Sequence, residues 1–210
     1  DGSGTIYTAS TNVAGNKTVY GQWTANKYTI NYNLNNGSYG TKHPTSATYG
    51  EQVNINYPTR STKISLSKNS TGATLSKDSV TSNFKFDGWS SSAADGLNTS
   101  TAKITLQDKN WNGGIGKAEI FRNLRSESGT IKLTANWTAE AITLPTVTKN
   151  GYTCNFNTKS DGKGISYSSG SSYTPEATAG SEVTLYARCG INSYTLTYKN
   201  GGSSCASVTR

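Results

Sequence analysis

The stretch Thr18-Val19-Tyr20-Gly21-Gln22-Trp23-Thr24-Ala25-Asn26-Lys27-Tyr28-Thr29-Ile30-Asn31-Tyr32 returns in altered form as Thr184-Leu185-Tyr186-Ala187-Arg188-Cys189-Gly190-Ile191-Asn192-Ser193-Tyr194-Thr195-Leu196-Thr197-Tyr198. A Gly/Asn turn follows each copy, Asn35-Asn36-Gly37 in one and Asn200-Gly201-Gly202 in the other. A degraded third copy reads Ile131-Lys132-Leu133-Thr134-Ala135-Asn136-Trp137-Thr138. A chain that repeats short segments folds as small units set side by side, each too thin to hold a large core alone. The repeated segments alternate with period two. Tyr28, Ile30, Tyr32 and Leu34 share one face, and Val183, Leu185, Ala187 and Cys189 share another, which is the signature of half-buried strands.

Two further motifs recur. Asp1-Gly2-Ser3-Gly4-Thr5-Ile6-Tyr7 matches Asp161-Gly162-Lys163-Gly164-Ile165-Ser166-Tyr167, and the aromatic strand Phe84-Lys85-Phe86-Asp87-Gly88-Trp89 corresponds to Gly151-Tyr152-Thr153-Cys154-Asn155-Phe156. The order is front hairpin, aromatic strand, Asp-Gly turn, then a closing strand ending in Trp. Residues 1–25 then form the C-terminal half of one repeat, 26–138 a complete repeat enlarged by insertions near 62–81 and 105–128, 139–190 a short repeat lacking its front hairpin, and 191–210 the start of another. This phase, with the absence of an initiator Met, predicts a piece of a longer array. One short helix is predicted near Lys117–Leu124.

Composition agrees with an all-β chain. Apolar residues are only 32%, while Gly (22) and Tyr (13) are abundant, which suits short strands joined by tight turns. The net charge of +8 comes from Lys and Arg scattered singly, the densest group being Arg122 and Arg125, so no nucleic-acid-binding arm is present. No apolar run reaches the roughly 20 residues needed to span a bilayer as a helix.

Catalytic and metal-binding patterns are lacking. The one histidine, His43, precedes Pro44 in a polar loop, and three scattered Cys give no zinc-ligand spacing. Gly113-Gly114-Ile115-Gly116-Lys117 departs from a phosphate loop at Trp111 and Ala118, where that motif needs Gly and a hydroxyl residue. Asp161-Gly162 reads as a hairpin turn, without the oxygen cluster that calcium takes. Asn69-Ser70-Thr71 and Asn98-Thr99-Ser100 are sequons of the kind expected by chance in this composition. Trp23, Trp89 and Trp137 end or sit in patterned strands and are expected in the core. Trp111 falls outside the pattern and, with Arg122 and Arg125, is the candidate ligand contact. No cofactor is expected, and no enzymatic activity.

These motifs together resemble the Listeria–Bacteroides repeat, the internalin-type B-repeat. The resemblance rests on Tyr28–Leu34 with Gly37, Thr143-Leu144-Pro145-Thr146, Gly151-Tyr152-Thr153, the Asp161-Gly162 turn, Thr184–Ala187 and Thr18–Trp23. It implies tandem small β-grasp-like modules with little helix, strung along an extracellular bacterial cell-surface protein. The roles implied are stalk, spacer and weak adhesion, with neighbouring repeats, host or cell-wall glycans, or another surface protein as partners. Periodicity by itself gives only small antiparallel β modules.

The 139–190 unit departs from that pattern at two places. Cys154 stands where the aromatic strand should carry Phe, and Cys189 where the closing strand should end in Trp. If the positions face one another, a disulfide replaces the lost aromatic packing; two buried free thiols are the alternative. Cys205 is then left over, to be free, to pair beyond Arg210 or to compete for Cys189. Three roles follow as expectations: a structural or adhesive surface array, a glycan-binding module acting through the enlarged 26–138 unit, or a filament subunit whose short unit accepts a strand from another chain.

Overall fold

The structure, a computed structural model, describes residues 3–39, 41–91, 118–122 and 124–209. Alternating β-branched and aromatic residues form sixteen strands, with no helix among the described residues. Eight strands make one sheet. Its order is β12 (Ser166–Ser168), β11 (Tyr152–Asn157), β14 (Glu182–Ile191), β4 (Ser61–Lys68), β6 (Ser79–Ser91), β8 (Gly129–Ala139), β1 (Lys27–Asn33) and β2 (Ser46–Thr48). Four two-stranded ribbons accompany it. They are β3 (Gln52–Asn56) with β7 (Ala118–Arg122), β9 (Ile142–Thr143) with β13 (Ser172–Tyr173), β10 (Val147–Thr148) with β5 (Thr74–Leu75), and β15 (Thr195–Asn200) with β16 (Ser203–Thr209).

The same local design occurs twice in the large sheet. β8 runs parallel to β1, with Ile30 opposite Ile131 and Tyr32 opposite Leu133, and antiparallel to β6, with Trp89 opposite Ala135. β14 runs parallel to β4, with Ile64 opposite Val183 and Leu66 opposite Leu185, and antiparallel to β11, with Phe156 opposite Ala187. Each time a large aromatic faces an alanine across the ladder, so bulk and space alternate and the layer fills without overpacking. Two cores result. In the first, Tyr28, Ile30, Trp89, Ile131 and Leu133 pack against Val53, Ile55 and Phe121 of the β3–β7 ribbon. In the second, Ile64, Leu66, Phe156 and Leu185 pack against Leu144, Val147 and Tyr173.

Strand β6 serves both cores. Its first half, Ser79–Asn83, is the hairpin partner of β4, while its second half, Phe84–Ser91, pairs with β8. A register shift between Phe86 and Trp89 lies at Gly88, whose φ of 100° an L side chain rarely adopts.

Several expectations need correction. Ala118–Arg122 is strand, not helix: an isolated Ala-Glu-Ile-Phe-Arg segment favours helix only weakly, whereas β3 supplies a full ladder and the first core takes Phe121 to 3% exposure. The sheet is mixed rather than purely antiparallel, because the first and last strands of each half lie side by side and point the same way. Trp23 is 95% exposed, whereas Trp89 is 2% exposed and Trp137 is half-buried against the first core. Residues 3–26 contain no strand, so Trp23 has no sheet on which to pack. Finally, the β14 edge that the missing hairpin would leave open is occupied by β4, from within 26–138 of the same chain.

β4 therefore belongs energetically to the core of the unit that follows it. Ile64→Ala is expected to cost about 2–5 kcal/mol in denaturant unfolding. Native-state hydrogen exchange should accelerate more in β11 and β14 than in β1 and β8; the reverse ranking would assign β4 to the first core.

Candidate functional site

Opposed positions on β6 and β8 hold Phe86 and Trp137, with ring centroids 5.4 Å apart at 65°. The corresponding positions on β11 and β14 hold Cys154 and Cys189, joined in a disulfide with Cα atoms 4.1 Å apart. The expected replacement of an aromatic pair by a covalent bond is thus present. The register also refines the alignment of the aromatic strands: Phe86 matches Cys154 and Trp89 matches Phe156, the extra residue being absorbed at the Gly88 bulge. Cys205 lies in β16, where the pairing with β15 shifts register.

Trp137 is held from two further sides. Its indole Nε1 donates to the Leu34 carbonyl at 2.9 Å, and Gly37 lies so close that a Cβ there would meet the ring at 2.6 Å. From Trp137 an aromatic chain runs outward through Phe86, Trp89, Tyr32 and Tyr39 to His43, each step 4.4–5.6 Å between centroids. The Tyr32 hydroxyl donates to the Pro44 carbonyl at 2.7 Å, fixing the loop that carries His43. Burial, and secondarily the neighbouring Tyr39, push the Tyr32 phenol far above its ordinary pKa. The chain ends at the surface, where half-exposed Tyr39 stacks flat on the exposed His43 ring. His43 also borders an open groove of about 580 Å³ between the 41–47 loop and β3, lined by Lys42, Glu51, Gln52 and Asn54 among others.

A second cleft, of about 430 Å³, lies where the two halves of the sheet meet, lined by Asn36, Arg60, Lys63, Asn83 and Ser181. Arg60 is almost wholly buried there. Its guanidinium sits 3.8 Å over the Phe84 ring and donates to the carbonyls of Ala177 and Ala179 at 2.9 and 2.7 Å. Burial lowers its pKa from the ordinary arginine value. These contacts tie the 177–179 loop of the second core to β4 and β6. Thr62 adds a bond from its hydroxyl to the Gly180 carbonyl at 2.7 Å, and Lys63 pairs with Glu182 at 3.4 Å. Ser65 and Lys63, both bonded to the Glu182 carboxylate, hold its pKa below the usual value.

The Asp161-Gly162 turn is organised by Asn157, buried at its centre. The Asn157 amide donates to the carbonyls of Gly162 and Gly164 and to Ser166 Oγ, and its oxygen accepts from the amides of Lys159 and Gly164. Gly164 has no room for a side chain, since a Cβ would lie 2.8 Å from Asn157 Oδ1.

Of the ligand-contact candidates, Trp111 lies outside the described residues, as do Asn98 and the glycine run 113–116. Arg122 ends β7, its backbone opposite Gln52 at the rim of the 41–54 groove. Arg125 lies against Gly129, donates to the Ser128 carbonyl at 3.4 Å and pairs with Glu127 at 3.9 Å. Tyr39 and the buried Arg60 were missed by the sequence reading. Tyr39 follows the Asn35-Asn36-Gly37 turn, and nothing local tells it apart from the other tyrosines. No group of three or more His, Cys, Asp and Glu residues placed to hold a metal occurs among the described residues. Comparison with known proteins gives no match to any family model, curated protein or solved structure.

The disulfide closes a separation of 35 residues, so reduction is expected to lower unfolding stability by about 4 kcal/mol in denaturant titrations with and without reductant. Because the two pairs occupy matching positions, Phe86→Cys/Trp137→Cys should form a second disulfide, seen as the loss of two titratable thiols. Persistence of those thiols would refute the equivalence.

Proposed function

We propose that the chain is a non-catalytic repeat segment of a bacterial cell-surface protein that acts as stalk or spacer with weak adhesion. The observation that carries this reading is the direction of the strands. β1, which brings the chain into the sheet, and β14, which takes it out, point the same way as β8 and β4. Tension between the start of β1 and the end of β14 therefore acts along the strands. Ladder bonds are loaded together in shear rather than opened one at a time, which is what a load-bearing spacer requires. The β-grasp-like module implied by the sequence resemblance fits the order β6-β8-β1-β2, with its central parallel pair, and the disulfide suits an oxidising, extracellular location. No helix among the described residues is long and apolar enough to cross a membrane.

In single-molecule pulling of the oxidised chain, the span from Cys154 to Cys189 stays short. Reduction should lengthen the unfolded contour by about 120 Å, 35 residues at roughly 3.5 Å each, with the first rupture unchanged in position. Peeling at low, sequential forces would count against the stalk.

One observation favours a second reading, glycan binding. Tyr39 and His43 present a stacked, solvent-facing ring pair beside the 41–54 groove, near Arg122 at the end of β7. Aromatic faces with adjoining polar groups suit sugar rings. A glycan array at low salt should then show binding that Tyr39→Ala reduces at least tenfold; an array without binding removes the reading.

A further inference from the structure

The ribbon β15–β16 repeats the design of the front hairpins elsewhere in the chain. Aligned on β1, Tyr194 matches Tyr28, Leu196 matches Ile30 and Tyr198 matches Tyr32. In the hairpin itself Leu196 faces Val208 and Tyr198 faces Ala206, so these residues form one apolar face. In both earlier cases the first strand of such a hairpin carries a parallel closing strand on its other edge, β8 on β1 and β14 on β4. Among the described residues no strand pairs with that edge, and Tyr194, Leu196, Tyr198 and Val208 are all exposed.

The matching closing-strand sequence is also in the chain. Lys17-Thr18-Val19-Tyr20-Gly21-Gln22-Trp23 aligns with Ile131–Trp137 of β8 and Val183–Cys189 of β14. Val19 stands at the place of Leu133 and Leu185, Gly21 at the alanine that faces the large aromatic, and Trp23 at the place of Trp137. Lys17 replaces an aliphatic residue at the strand's opening, where its stem can lie along the face with the ammonium in water. Among the described residues this segment lies in no sheet, with Val19, Tyr20 and Trp23 exposed. An uncovered strand edge with an apolar face is a template for pairing with another chain.

From these two halves we infer that β15 is an acceptor for residues 17–23 of a second copy of this chain. The copies join head to tail, through a parallel ladder that sets Tyr198 opposite Val19. The register follows from Tyr32 opposite Leu133 and Leu66 opposite Leu185. Because donor and acceptor are different surfaces, the contact is heterologous and leaves a free donor and a free acceptor after each addition, so assembly continues beyond the dimer. The inference rests on reading the chain as repeated modules, not on its role under load. The outcome of the pulling experiment leaves it untouched.

The test is sedimentation of the 210-residue chain over a wide concentration range, together with oxidation of Val19→Cys/Tyr198→Cys. The expected result is a mass that rises past the dimer with concentration, a blue shift of Trp23 emission over the same range, and a ladder of cross-linked oligomers in which peptide mapping finds 19 joined to 198. Leu196→Asp should keep the chain monomeric while leaving the Cys154–Cys189 disulfide formed. A monomer at every concentration would overturn the inference. So would a cross-link closed within one chain, or equal cross-linking by Val19→Cys/Thr197→Cys, which places the second thiol on the opposite face.

Discussion

The ladder between β4 and β14 builds the second half of this molecule from strands of two different sequence units. Without it the second core would lose Ile64 and Leu66 from one wall and leave the β14 edge open to water. The antiparallel pairing of β4 to β6 is the backbone ladder that joins this half to the first, with side-chain bonds such as Asn36 to the Ala179 carbonyl beside it. Arg60, Thr62 and Lys63, all on or next to β4, then fasten the loop before β14 through carbonyls and one carboxylate. The charge of Arg60 is met by two carbonyl dipoles and the face of Phe84, with no acidic partner among the described residues. That solution costs less than an unpaired buried charge because the guanidinium is weakly hydrated and planar.

The two halves solve one packing problem in different ways. The first fills the end of its closing strand with Phe86 and Trp137, whose bulk is buttressed by the Leu34 carbonyl and the space at Gly37. An edge-to-face ring pair adds roughly 0.5–1.5 kcal/mol beyond the area it buries. The second half has little aromatic bulk to bury there and uses a covalent link, which acts mainly by restricting the unfolded chain. One route strengthens the native packing and the other weakens the competing state. Only the second makes stability depend on redox conditions, which joins the fold to the environment proposed for it.

Much of this was legible in the residues. Period-two alternation located β1 and β14, with the buried faces where they were expected, and the paired departures at Cys154 and Cys189 pointed to the bond that joins them. What the sequence hid was long-range partnership. Ser61–Lys68 read as insertion because Thr62 and Leu66 replace the tyrosines of β1, although Thr-Lys-Ile-Ser-Leu keeps the same alternation. Alternation says which face is buried but not against which partner, so the assignment of β4 to the following unit could not be made locally. The strand at Ala118–Arg122 was hidden for the related reason that its ladder partner, β3, lies far away in sequence. Trp23 shows the converse: a well-formed closing-strand sequence stays exposed where it pairs with no first strand or aromatic strand among the described residues.

The central claim is that β4, embedded in one unit of the sequence, completes the sheet of the next. Nuclear Overhauser contacts between β4 and β14 in solution test it most directly. The account predicts parallel-strand contacts that place Ile64 beside Val183 and Leu66 beside Leu185, unaffected by dilution. Contacts that vanish on dilution, or a β14 whose second edge exchanges freely with solvent, would contradict it.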